Sequence, residues 1–153
     1  MANPLYGQNK ADGNIGWLQN KESYLNLGTT TAVVLVAHEM LGKSAIAGDP
    51  NGSARTVTTP TAAQLVAAMK VKASDSKCIA GDSFQFCFIN TGTAGENETY
   101  TMTAGTGVTV VGFADIENPD TTHDAFSVGS SLWAVQVTNA ASGSEAVDVI
   151  RLA

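Results

Sequence analysis

Few residues in this chain have the type and spacing that chemistry requires. His38-Glu39 begins like the zinc motif His-Glu-x-x-His, but position 42 is Gly where a second imidazole would have to stand. That leaves His38 as a strand-end or surface histidine. Asp120, His123 and Asp124 could surround an ion within the acidic stretch 112–131, and the competing reading is a solvated excursion. Asp49 and Asn51 resemble a fragment of a calcium loop, without its spaced oxygens and terminal Glu. Cys78 and Cys87 have no Cys/His companions at metal spacing, so they read as reduced, buried small hydrophobes rather than a disulfide. Ala104-Gly105-Thr106-Gly107 lies between two strand patterns, with no Lys and no helix start behind it to receive a phosphate. Asn97-Glu98-Thr99 matches a glycosylation sequon, which acts only on a secretory route. These residues assemble no catalytic constellation, so the expectation is a protein that is not an enzyme, with no cofactor and no metal.

Composition points to contact rather than catalysis. Charged residues make up 14% of the 153, against an average of about 25%. Such a surface rests on Thr, Ser, Asn, Gly and Ala, and tolerates dry contact because few ions need desolvating. The net charge of −6 is uneven: beyond residue 72 only Lys77 and Arg151 oppose ten acids. An acidic half of this kind argues against a nucleic-acid partner, which needs clustered cations. No apolar run reaches the roughly 20 residues that span a bilayer, so no membrane partner is expected. The N-terminus has neither a basic region nor an apolar core of a signal peptide, making cytoplasmic folding the default.

The elements read as one domain, 29–153, preceded by an extended N-terminal arm, 1–28. The arm is polar and aperiodic, yet it carries four large anchors, Tyr6, Trp17, Leu18 and Tyr24, whose burial a solvated tail could not use. Thr29–Ala37 is nearly continuous and β-branched, which predicts a strand buried on both faces. Gly48 to Gly52 is a turn by its Pro and Asn-Gly chemistry. Thr61 and Gln64 form a capping box ahead of one short α-helix, to about Met69, with Leu65, Val66 and Met69 on its apolar face. Alternating strands follow: Phe84, Phe86 and Phe88 on one face, then Tyr100 and Met102, then Val108–Val111, then Trp133, Val135 and Val137, and finally Ala146–Leu152. Strands at this spacing predict an all-β class, an antiparallel β-sandwich or jelly-roll-like domain.

Four segments in order, PTAAQLVAAM, GDSFQFCFINT, YTMTAGTGVTVVG and WAVQVTNAASGSEAVDVIRL, resemble the small β-rich decoration, or cement, proteins of tailed bacteriophages. The likeness spans Thr59 to Leu152. It departs from that pattern in the stretch 112–131 and does not reach the arm. The resemblance implies a structural virion protein on the capsid exterior, made in the host cytoplasm, whose partners are the major capsid protein and itself, as a homotrimer. In that setting the arm residues Tyr6, Trp17, Leu18 and Tyr24 would bind the capsid. Related modules also occur in phage tails and fibres, so the alternative is a tail-fibre or receptor-binding module recognising a host-surface glycan, which would need exposed aromatic rings.

Overall fold

The structure is a computed structural model and describes residues 24–29, 32–73, 76–92, 98–117 and 129–153. In chain order the elements are β1 (Tyr24–Thr29), β2 (Val33–Val34), α1 (Ala37–Gly42), β3 (Ala45–Asp49), β4 (Arg55–Thr58), α2 (Ala62–Lys72), β5 (Ser83–Asn90), β6 (Tyr100–Thr103), β7 (Val108–Val111), β8 (Asp115–Ile116), β9 (Ser130–Asn139) and β10 (Ala146–Arg151). They build two sheets, one of six strands in the order β1-β3-β5-β9-β10-β7 and one of four in the order β2-β4-β6-β8. The chain is strand-rich, as expected.

Its sheets are mixed, however, rather than antiparallel throughout. β5–β9, β9–β10 and β6–β8 pair antiparallel. β1–β3, β3–β5, β7–β10, β2–β4 and β4–β6 pair parallel. The turn chemistry misleads at one instructive place. Ala104–Gly107 looks like a hairpin, but β6 and β7 lie in different sheets, so this link crosses the core instead of reversing a ladder. Close quarters dictate its glycines: a Cβ on Gly105 would lie 2.6 Å from the carbonyl oxygens of Thr59 and Pro60. Gly107 has φ +77°, which an L side chain rarely adopts. Among the described residues, the 140–145 link is the one that closes a hairpin between consecutive strands, β9 and β10.

The run Thr29–Ala37 also departs from expectation. Among its described residues only Val33–Val34 form a strand, and Ala37 already opens α1. Val33, Leu35 and Ala37 are buried, while Val34 (71% exposed) and Val36 (43%) alternate with them outward, so the run is not buried on both faces. Met40, fully buried, and Leu41 give α1 its hold on the core. At the other limit, β1 takes up residues 24–28 of the stretch read as arm, pairing with β3 and bulging where Gly28, at φ +66°, donates to Asn26 Oδ1 at 2.8 Å.

The helix α2 follows its sequence closely. Thr61 N–H donates to Gln64 Oε1 at 3.0 Å and Gln64 N–H to Thr61 Oγ1 at 3.2 Å, completing the box. Ala62, Leu65, Val66 and Met69, at helical spacing, are buried, and Lys70 and Lys72 sit in the last turn where the helix dipole favours cations. That stripe enters a single apolar cluster with Phe86 and Phe88 of β5, Tyr100 and Met102 of β6, and Trp133, Val135 and Val137 of β9. Phe88 meets Tyr100 edge to face, with centroids 5.3 Å apart at 77°, and joins the two sheets. Leu65 is completely buried here. Leu65→Ala should therefore cost about 2–5 kcal/mol in a urea melt, and a loss below about 0.5 kcal/mol would place the helix outside the cooperative core.

Candidate functional site

The registers give the six-stranded sheet two unlike ends. At one end β1 begins at Tyr24, level with Ala45 of β3, and β5 begins at Ser83. The opposite end gathers the close of β3 at Asp49, the close of β5 at Asn90 and the start of β9 at Ser130. β8 also closes there, because Ile116 is held by the Asn90 side chain. Residues 50–54, 91–92, 98–99, 117 and 129 therefore share one end.

A buried polar knot fixes that end. Asn90 is 1% exposed and Glu98 2%. The Asn90 amide donates to the carbonyls of Glu98 (2.6 Å) and Ile116 (3.0 Å), and its Oδ1 accepts from Gly92 N–H at 3.0 Å. Glu98 Oε1 accepts the backbone N–H of Gly52. The 49–52 turn is shaped to offer it: Asn51 and Gly52 both hold positive φ (57° and 74°), and Asp49 Oδ1 accepts from Asn51 N–H at 2.8 Å. Gly92 is glycine because any Cβ there would collide with Glu98 Oε2. These polar atoms are committed to main-chain groups of four separate segments, so the knot's chemistry is positioning. No buried side-chain N or O lacks a partner among the described residues.

Beside it, Arg151 at the end of β10 holds the segment after β7. Its guanidinium lies 5.7 Å from the Phe113 ring centroid and 5.9 Å from that of Trp133, and it donates to the carbonyls of Phe113 (3.3 Å) and Asp115. Thr101 Oγ1 donates to Asp115 Oδ1 at 2.7 Å, tying β8 to β6.

Of the residues singled out from sequence, Tyr6, Trp17 and Leu18 lie outside the described residues. Tyr24 is the first residue of β1 and half exposed. Asp120, His123 and Asp124 also lie outside them, and the described residues contain no group of three or more His, Cys, Asp or Glu able to hold a metal. His38 is exposed on α1, with Glu39 beside it in the first turn. Both cysteines are free thiols, Cys78 buried and Cys87 partly so. Phe86, Phe88 and Trp133 are buried, which removes them as stacking platforms for a sugar. The knot itself was not anticipated: Glu98 sits among Gly, Thr and Asn, where a carboxylate reads as solvated, and only the sequon drew notice to its neighbourhood.

No protein-family model, no curated protein and no solved structure matches the chain.

Two outcomes follow from this geometry. Glu98→Ala removes a buried carboxylate together with its bond to Gly52 N–H and should destabilise the fold by about 1–3 kcal/mol, measured by urea unfolding; an unchanged midpoint would mean the knot holds nothing. Both thiols have raised pKa values. Burial pushes Cys78 up, the Asp82 carboxylate adds to it, and Lys70 opposes only in part; burial likewise raises Cys87. A folded thiol raised above its unfolded value of about 8.5 contributes stability that is complete below that pH and lost as pH climbs through the folded pKa. Alkylation by iodoacetamide at pH 8 should thus run slower on the folded chain than on the urea-unfolded one, and the melting temperature should fall above about pH 8.5. Equal alkylation rates would contradict this.

Proposed function

We propose that this chain is a structural virion protein that binds the exterior of an assembled capsid and stabilises it, a decoration or cement protein acting as a homotrimer on the major capsid protein. The observation that carries this reading is the ordered resemblance of four segments across Thr59 to Leu152. Those segments supply α2, β5, β6 with β7, and β9 with β10, which together furnish most of the core. The polarity of the six-stranded sheet agrees with such a role. Residues 1–23, which carry two cations and two acids, run into the sheet at Tyr24, while Asp115 and Glu117, the described acids of the stretch 112–131, stand toward the opposite end. A subunit of that form can present a neutral side to a shell and an acidic side to water.

The mechanism is multivalent. Each copy contributes one modest contact, and three joined copies convert it into high avidity, clamping neighbouring shell subunits against internal genome pressure. Tyr6, Trp17 and Leu18 are the anchors in this scheme, since large apolar side chains are what offset the ordering of an arm on a surface.

The test is co-sedimentation with undecorated particles. A chain starting at Tyr24, which keeps β1 and its pairing with β3, and the double variant Trp17→Ala, Leu18→Ala should both fold with native melting behaviour. Each should bind at least about tenfold more weakly than the full chain, the loss expected when anchor side chains worth more than 1 kcal/mol are removed. Saturation at unchanged affinity by both would remove the arm from the attachment.

A further inference from the structure

Asn51-Gly52 is the one Asn-Gly pair in the chain. Glycine has no side chain to shield its nitrogen, so an unconstrained pair of this kind reacts with itself. The glycine nitrogen gives up its proton and attacks the asparagine Cγ. A C–N bond forms, a five-membered imide closes, and the side-chain nitrogen leaves as ammonia. Water then opens the imide at either carbonyl. One opening leaves aspartate, and the other leaves isoaspartate, whose main chain runs through the former side chain.

Ring closure requires Cβ and the following nitrogen to lie eclipsed across the asparagine Cα–C bond. The folded chain holds them apart. Asn51 has φ +57°, and a residue with a Cβ at that φ is confined to ψ of about +30 to +60°. Cβ stands about 120° around Cα from the backbone nitrogen, so the Cβ–Cα–C–N torsion is then about 150–180°, almost opposite to closure.

Two hydrogen bonds keep the turn in that state. Gly52 N–H, the group that would attack, donates to Glu98 Oε1, and Asn51 N–H donates to Asp49 Oδ1 at 2.8 Å. Glu98 is buried, and its own carbonyl is held by the Asn90 amide at 2.6 Å. The restraint on Gly52 therefore comes from the core, 46 residues along the chain. Burial gives the pair no protection, because Asn51 and Gly52 are both exposed and water reaches them. The torsion is what separates them from the imide.

We infer that Asn51 is a modification site, converted to isoaspartate when the Glu98–Gly52 bond opens and kept as asparagine while it is closed. The step runs one way. Isoaspartate adds a carbon to the main chain, which carries Gly52 N–H away from Glu98, and it places a new carboxylate two residues from Asp49. The same bond cannot then close the turn again. The inference is independent of what the protein binds.

The experiment incubates the full-length chain at mildly alkaline pH, well below its melting transition. Products at residue 51 are followed by peptide mapping, with isoaspartate told from aspartate by electron-transfer fragmentation. Conversion should run at least about tenfold slower in the folded chain than in the same chain unfolded in urea. Glu98→Ala should speed it at least about tenfold, the shift in local opening that loss of one such bond brings. Leu65→Ala, which weakens the core away from the knot, should stay near the wild-type rate. Should Glu98→Ala fail to fold, Asp49→Ala removes the outer bond on Asn51 N–H and should also hasten conversion, though by less. The isoaspartate fraction should unfold at lower urea than Asn51→Asp, which adds the same charge on an ordinary backbone. Equal rates in the folded and unfolded wild type overturn the inference, as does a rate that no folded variant of Glu98 or Asp49 changes. A Leu65→Ala chain that converts as fast as Glu98→Ala overturns it too, since global unfolding would then be the route. An isoaspartate fraction with the midpoint of Asn51→Asp overturns the one-way step.

Discussion

Tyr100 stands where the two sheets must meet, and its place conditions most of the fold. Its ring abuts Phe88 of the six-stranded sheet, and the fully buried residue has its hydroxyl beside Gly48, where a Cβ would come to 3.0 Å. That single side chain therefore engages β3, β5 and β6 at once. Parallel pairing makes such a contact obligatory. β3 and β5 are neighbours only because the intervening chain leaves the sheet, makes β4 and α2, and returns, so a crossover must lie over the sheet and bury what it crosses. The stripe of α2 and the aromatic faces of β5, β6 and β9 answer that demand with one continuous cluster rather than two cores. Fully burying side chains of this size stabilises by about 1.5–3 kcal/mol each, so the sheets are held face to face mainly by apolar area.

The polar knot solves the problem that this topology creates at one end. Strands of both sheets terminate there and their links must turn away from a core that has no water to satisfy loose main-chain groups. Asn90 and Glu98 supply the missing partners from within: an amide that can donate twice and accept once, and a carboxylate that takes a glycine N–H. Two positive-φ residues and an unsubstituted Gly92 make room for it. The constraint is local but its reach is long, since Gly52 and Glu98 are 46 residues apart and belong to different links.

What could be read from residues alone divides along the same physical line. The α2 cap was legible because Thr61 and Gln64 satisfy each other locally, and the strands β5, β7, β9 and β10 because alternation is a property of consecutive residues. Strand direction was not legible, since it depends on which distant strand lies alongside; Gly105 and Gly107 look the same in a hairpin and in a link between sheets. The run through Val33–Val36 was misread for a related reason: valines facing outward and inward are one letter, and only packing distinguishes Val34 from Val33. Glu98 was invisible because a buried carboxylate differs from a solvated one in its surroundings, here a turn that closes nearly fifty residues earlier.

Surface character in this chain is set face by face rather than by composition. A low fraction of charge could have produced a uniformly neutral exterior, yet Thr58, Thr101 and Thr103 of the four-stranded sheet bond one another and Asp115, and on the larger sheet Asp148 stands between Gln136 and Thr109. Because strand side chains alternate, each charge withheld from the outer face of β9 had to be withheld at Leu132, Ala134, Gln136 and Thr138 in turn, independently of the apolar demand on Trp133, Val135 and Val137. The core explains every second residue of that strand.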